Sequence, residues 1–533
     1  MRKWGKTCIA ACLAAVIGLT MTWTAAPVQA ASNTAANDIR VFVNKQRLVT
    51  DAAPYIIPKV NVTMLPFRAI GEAIGAEVSW NQKQKEVTFK KDSHLIQMTL
   101  NNNTAIVNGE VIKLNAAPEM KSNRTMVPLR FIAENLGVTV QWDQKTRTVT
   151  LVTEDGEEQQ LPDMRATWVS SVYNIDWPQD PRKTGYNKEQ QQADYIALLD
   201  QLSDMGLNAV FVQIRPTADA FYPSQYLPWS EWLTGSQGKD PGYDPLAFMI
   251  EETHKRGMQF HAWFNPYRVS VQGDLNKLSE DHPARQHPEW VVKHANKLMF
   301  DPGIPEVQEF IIETVMEVVT NYDIDGVHFD DYFYPYGQAS EPFQDDNTYA
   351  TYNKVFNNKE AWRRQNVDQF IQTLSKEIRA EKPYISFGIS PYGVWRNASV
   401  DPTGSATKAS VTSYDSLHAD VRTWIRQGWI DYVAPQIYWH IGHSAADYAT
   451  LVDWWVEETA GTGVDLYIGH ASYKLADEKE KDWSSADVLI DQLVYNEQYM
   501  NIAGDIFFSA KDLIRNTKQV ADHLREYYEM KEN

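Results

Sequence analysis

Two adjacent carboxylates, Asp330 and Asp331, lie within the run Asp323-Ile-Asp-Gly-Val-His-Phe-Asp-Asp-Tyr-Phe-Tyr-Pro-Tyr336. Val327 and Phe329 favour a strand, Gly326 permits close backbone approach and Pro335 stops further pairing, so the pair falls where a buried strand gives out. A buried carboxylate without a partner is costly, so two of them need either cations or a chemical task. Strand alternation puts His328, Asp330 and Tyr332 on one face and turns Asp331 to the other. Neighbouring carboxylates resist joint ionisation, which leaves one of them protonated and able to act as a general acid. Asp330 is the expected proton donor and Asp331 its partner, or the charge that raises its neighbour's pKa. The plainer alternative is that Asp331 caps the following loop while Asp330 pairs with an arginine.

The elements that must hold this pair are legible around it. From Met164 onward, eight β-rich runs (165–170, 208–214, 258–264, 326–331, 385–390, 432–438, 466–470 and 505–509) alternate with amphipathic helical patterns at 191–205, 245–256, 305–321, 367–380 and 415–427. The pattern at 512–530 supplies the last helix. Eight such alternations predict an α/β fold, a (β/α)8 TIM barrel, whose chemistry lies on the loops after the strands. Those loops (215–244, 265–300, 332–366 and 391–414) are long and rich in Trp, Tyr, Pro, Asn and Asp, whereas the opposite connections are short.

The run ends offer a polar, aromatic set expected to bind substrate: Trp168, Gln213, Arg215, His261, Trp263, Asn265, Tyr267, Arg268, His328, Tyr332, Ser390, Tyr392, Trp395, Gln436, Tyr438, Trp439 and His470. One acidic pair among amides, hydroxyls and rings suits a neutral, hydroxyl-rich ligand. Amides hydrogen-bond sugar hydroxyls, and aromatic faces stack on pyranose C–H surfaces. Against this, Gln213 and Asn265 could tie down loops, Trp263 and Trp439 could be loop core, and Arg215 and Arg268 could serve only to keep a carboxylate ionised.

Composition narrows the setting. A net charge of −19 argues against nucleic acid and anionic membranes as partners. Arg2, Lys3 and Lys6, an apolar stretch over 7–20 and Val28-Gln29-Ala30 read as an export signal over 1–30, cleaved near Ala30, so the product is expected to be secreted or wall-associated. Both cysteines, Cys8 and Cys12, lie inside it. The mature chain then has no disulfide and no thiolate metal site.

Before the barrel, residues 61–89 and 123–151 repeat. Asn61-Val-Thr-Met-Leu-Pro-Phe-Arg68 matches Asn123-Arg-Thr-Met-Val-Pro-Leu-Arg130, Gly75 matches Gly137 and Trp80 matches Trp142. Each copy predicts a proline-started helix, a glycine cap and two alternating strands, hence a small α+β module of paired halves over 38–152. Arg68 and Arg130 are expected to brace it, and the acidic stretch 153–163 reads as a linker to a barrel domain at 164–530. The paired Met-x-Pro-x-Arg and Gly-x-x-Val-x-Trp motifs resemble the copper amine oxidase N-terminal-like module. No copper site is expected, since His94 is its only histidine, and the resemblance implies a role in wall or surface attachment.

The barrel resembles the glycosyl hydrolase-like family ten. Arg165-Ala-Thr-Trp-Val169, Asn208-Ala-Val-Phe-Val-Gln-Ile-Arg-Pro216, His261-Ala-Trp-Phe-Asn-Pro-Tyr-Arg268, Asp325-Gly-Val-His-Phe-Asp-Asp-Tyr332, Gly388-Ile-Ser-Pro391 and Ala434-Pro-Gln-Ile-Tyr-Trp439 carry the likeness. It implies glycoside hydrolysis, with N-acetylhexosamine-containing peptidoglycan strands as the expected substrate and no cofactor or metal. A more distant similarity is to chitinase-type barrels, whose catalytic Glu is replaced here by Tyr332. The second catalytic group stays open. It is either a loop acid (Asp219, Glu231 or Asp415) or the N-acetyl group of the substrate, oriented by Gln436, Tyr438 and Asn265. Two other classes remain: a metal-dependent hydrolase such as a deacetylase, with His261, His328, Asp330 and His470 at one ion, and a non-catalytic wall-binding barrel.

Overall fold

A computed structural model of the chain describes residues 39–153 except 44–45, 49, 51, 122–123 and 144–146, and residues 164–532 except 337–341 and 500. The expected signal segment and nearly all of the expected linker lie outside these residues.

Eight parallel strands close into a barrel in chain order: β1 (Met164–Val169), β2 (Ala209–Arg215), β3 (Gln259–Phe264), β4 (Gly326–Phe329), β5 (Ser386–Ile389), β6 (Tyr432–Val433), β7 (Asp465–His470) and β8 (Ile502–Phe507). The helices that alternate with them are α1 (Lys188–Asp204), α2 (Pro245–His254), α3 (Pro305–Asn321), α4 (Lys359–Glu381), α5 (Val421–Arg426), α6 (Tyr448–Thr459), α7 (Asp487–Asn496) and α8 (Val520–Glu532). The (β/α)8 expectation therefore holds. Local boundaries differ for identifiable reasons. Asn187, Asp244, Asn358, Asp420 and Asp447 cap α1, α2, α4, α5 and α6 through their side chains, so α4 starts earlier and α5 later than the hydrophobic pattern suggests. Regular pairing of β6 stops at Val433, just before Pro435, which has no N–H to give, although Gln436 still bridges Tyr392 and Gly469.

The strands are hydrophobic on both faces, as a parallel sheet covered by helices requires. Val210, Val212, Ile214, Phe260, Phe264, Val327, Phe329, Phe387 and Ile389 point out into the main helix-packed core. Met164, Ala166, Trp168, Ala209, Phe211, Trp263, Tyr432, Ala434, Tyr467 and Ile506 fill the barrel itself. Two glycines make room for large rings in that interior. A Cβ on Gly326 would lie 2.2 Å from the His261 ring, and one on Gly388 would lie 2.2 Å from that of Tyr432.

The module shows the internal repeat as a local two-fold. Strand Val62–Pro66 pairs antiparallel with Arg124–Pro128, and Leu65 faces Val127, its own counterpart in the other copy. Helices Phe67–Ala73 and Leu129–Asn135 follow, ended near Gly75 and Gly137 at φ +72° and +77°. Arg68 and Arg130 do not brace the core. Both side chains are largely exposed; they make long i,i+4 pairs with Glu72 and Glu134, and Arg68 lies over the Phe67 ring at 5.8 Å.

Candidate active site

Three strands carry the site's acidic centre. At the top of β3, the Asn265 backbone is locked to β2: its N–H donates to Arg215 O at 3.0 Å, and Arg215 Nη1 returns a bond to Asn265 O at 2.7 Å. The Asn265 side-chain amide donates to Asp330 Oδ2, just past the end of β4, and accepts from Gln213 Nε2 of β2. Gln213 Oε1 in turn accepts from the backbone N–H groups of Ser171 and Val172 at 3.0 and 2.9 Å and from Ser170 Oγ at 3.1 Å. Asp331 Oδ2 accepts from the Tyr336 hydroxyl. Regular strand ends at Phe329, so strict alternation no longer governs the pair; Asp330 bonds the Asn265 amide and Asp331 the Tyr336 hydroxyl, while the charge of Asp330 still reaches Asp331.

Their surroundings push them apart. Burial raises Asp331 to about 7, the charge of Asp330 adds to that, and the Tyr336 bond opposes it. Burial raises Asp330 too, but the nearby Arg268 guanidinium and the Asn265 amide favour its charged form. Burial thus holds both carboxyls above their ordinary range, and a cation and an amide donor face Asp330.

Around the pair, half-buried rings rim the barrel mouth. Tyr332 lies under Arg268 (4.7 Å to the ring centroid) and meets Tyr336 at 5.4 Å. Tyr336 meets Tyr392 at 6.2 Å, and Tyr392 meets Trp439 at 5.6 Å. Tyr438 packs against Tyr473 and Phe508 on another side, close enough for both aspartates to act on its hydroxyl. The Gln436 amide donates to Ser390 O at 3.0 Å and favours the charged form of Asp331.

Other expected ligands sit elsewhere. His261 lies a layer below the mouth, stacked on Phe211 at 4.3 Å and buried. His328 is also interior: Trp168 Nε1 donates to its Nε2 at 3.0 Å, so its Nδ1 carries the proton toward the Tyr432 hydroxyl at 3.1 Å. Burial holds both imidazoles neutral, His261 near 4 and His328 well below its ordinary value. Trp168 and Trp263 also pack in this interior, only 2% and 5% exposed, with the Trp263 indole near enough to Asp330 to favour its charged form. Tyr267 packs against Phe370 of α4, Trp395 stacks on Trp454 of α6, and the buried Arg215 braces the loop after β3. His470 faces the helices, bonded to Gln492 at 2.8 Å and Asp505 at 2.7 Å. The Ser390 side chain is buried, so only its carbonyl, through Gln436, touches the site. Gln213 is buried behind Asn265 and cannot reach a ligand.

These positions also separate the four residues of the metal alternative, because His470 and His328 spend their nitrogens on opposite sides of the sheet. Among the described residues, no group of three or more His, Cys, Asp and Glu is placed to hold a metal ion. Tyr336 and Tyr173 were missed by sequence reasoning. Tyr336 ends the Tyr332-Phe-Tyr-Pro-Tyr336 run, and its spacing from Tyr332 was the available signal. Tyr173, 55% exposed beside Trp232 and close enough to act on Tyr332, follows β1 in a loop with no pattern to mark it.

Residues 163–485 match the family described as Glycosyl hydrolase-like 10. The chain belongs to that family. The glycosyl hydrolase-like 10 match ends before β8, so the closing strand and α8 lie beyond it. Residues 42–151 match the Copper amine oxidase N-terminal domain. The chain is 56% identical over 364 residues to Glycosyl hydrolase YngK of Bacillus subtilis (strain 168), covering 68% of this chain and 71% of that one. It is 43% identical over 388 residues to Glycosyl hydrolase DigH of Escherichia coli (strain K12), covering 69% and 88%. Among solved structures, the PgaB (BpsB) glycoside hydrolase domain from Bordetella bronchiseptica aligns at 15% identity and a TM-score of 0.42 over 68% of this chain and 98% of that one, a likeness too remote to argue from. Membership of the glycosyl hydrolase-like 10 family supports a glycoside hydrolase-type function.

Proposed function

We propose that the protein is an exported enzyme that hydrolyses O-glycosidic bonds in an N-acetylhexosamine polymer of the peptidoglycan type, with Asp331 as the proton donor. The observation that carries this reading is the neighbouring pair Asp330 and Asp331, buried at the barrel mouth, with Arg268 and the Asn265 amide donor facing Asp330. The three loop acids are engaged elsewhere. Asp219 is buried against Gln237, Asp415 is clamped by Arg396 at 2.8 Å, and Glu231 pairs with Arg182 at 3.5 Å. A nucleophile supplied by the substrate then fits better than a second protein acid.

In this mechanism the carbonyl oxygen of the sugar's 2-acetamido group attacks the anomeric carbon. The glycosidic C–O bond breaks with its electron pair going to the leaving oxygen, which takes the proton of Asp331. Asp330, ionised and held by Asn265, accepts the amide N–H and stabilises the cationic ring that forms. Tyr438 is placed to hold the acetamido group. The Asp331 carboxylate then takes a proton from water, which opens the ring at the anomeric carbon with retained configuration. Incubation with glycan strands freed of peptides, followed by mass spectrometry of reducing ends, is the direct test. Asp331→Asn and Asp330→Asn should each lower kcat by about 10²–10⁴ while glycan binding persists. Full activity in Asp331→Asn would overturn the reading, and activity surviving exhaustive chelation would discard the metal-dependent alternative. For the module we propose wall attachment. The inactive Asp331→Asn chain should cosediment with insoluble wall material, and failure to do so rejects that role.

A further inference from the structure

The amide relay behind Asp330 has a direction, and the direction comes from backbone groups that cannot be reversed. The N–H groups of Ser171 and Val172 can only donate, so the end of the Gln213 amide that meets them must be its oxygen. The other end, Nε2, therefore faces Asn265 and must donate to Oδ1. That leaves Asn265 Nδ2 facing Asp330 Oδ2, again as a donor. Gln213 is 1% exposed and Asn265 is fully buried, so no solvent can substitute for either amide if it flips. The Asn265 main chain is pinned on both its N–H and its carbonyl, which leaves rotation about the end of its side chain as its only freedom.

We infer that Gln213 is a positioning residue that biases which of the two aspartates is the acid: through Asn265 it holds a hydrogen-bond donor against Asp330 Oδ2, which favours the ionised form of Asp330 and leaves the proton to Asp331. This inference rests on the proposed roles of the pair. Without the relay, two adjacent carboxyls in similar burial would share the proton between them. Gln213, which bonds Asn265 and neither aspartate, thus sets the chemistry of a pair it never touches. Arg268 adds to the same bias by charge, but charge alone does not select which oxygen of Asp330 accepts.

Gln213→Glu keeps the shape and reverses the polarity. One carboxylate oxygen would still accept from Ser171 and Val172, but the other would now require a donor from Asn265. The Asn265 amide would flip, present Oδ1 to Asp330, and be satisfied only if Asp330 carries the proton. The pH profile of kcat/KM on stripped glycan strands reads this out. The acidic limb, set by ionisation of Asp330, should move up by about one pH unit, a tenfold change in its ionisation constant, with kcat falling more than KM changes. Gln213→Leu, which removes the relay without reversing it, should shift the limb by less. Thermal melts of both variants show whether the barrel is intact. An unmoved acidic limb in two folded variants would overturn the inference, as would loss of the folded state in both, which would make Gln213 a brace and nothing more. If Asp330→Asn and Asp331→Asn retain activity, it is the proposed roles that fail. If those are inactive and only the Gln213 variants behave as wild type, the roles stand and the relay alone is rejected.

Discussion

At the scale of single residues, the site works by giving two identical side chains different surroundings. Asp331 is buried beside a negative charge, and its pKa near 7 makes it a usable acid at neutral pH. Activity that needs it protonated should fall as pH rises through about 7, and a profile still rising above 8 would contradict the assignment. The Tyr336 hydroxyl favours the charged form of Asp331, so Tyr336→Phe should move that basic limb upward, by roughly half a unit, and lower kcat several-fold. The adjacent acids could be read from the chain as a reactive pair. Their unequal surroundings could not, because these depend on Asn265, Gln213 and Tyr336 arriving from three different segments.

Among the elements, strand ends act as mounts and strand interiors as filler, and the boundary between the two is where the sequence reading erred. His261, His328 and Trp168 look like ligands on paper because they are polar or carry an N–H near a strand end. The barrel interior takes them as packing, with the indole of Trp168 satisfying His328 and the rings of His261 and Tyr432 seated over Gly326 and Gly388. Gly388→Ala should therefore cost about 1–3 kcal/mol in chemical denaturation through overpacking against Tyr432. A neutral effect would mean the ring can move aside. His470, Tyr267 and Trp395 failed for another reason: they lie past or on the outer face of their strands, where side chains meet helices instead of the mouth.

For the whole molecule, burial couples the site's protonation to the stability of the barrel. Asp331 and Asp368 both have pKa values raised to about 7 by burial, far above those of the unfolded chain. From about pH 4 to 7 the folded chain holds carboxyl protons that the unfolded chain has already released, so this contribution to stability is lost as pH rises through about 7. His261, His282, His328 and His418 act in the opposite sense: burial keeps them neutral in the fold, whereas the unfolded chain protonates them below about 6.5. The histidines cancel when wild type is compared with Asp331→Asn, so the Tm of wild type relative to that variant should fall as pH rises from about 5 to 8. A relative Tm that rises over the same range would show that Asp331 does not stay protonated in the fold.

Alternation of hydrophobic runs was enough, by itself, to determine the barrel, and the 61–89 and 123–151 repeat was enough to determine the paired module, because both are properties of local period and turn chemistry that each segment carries alone. The family motifs likewise sat in plain view, since they are contiguous. Tertiary structure alone decided which partners each aspartate meets, and which rings form the rim and which fill the barrel. Those depend on register between strands distant in the chain and on burial, and no single stretch contains either.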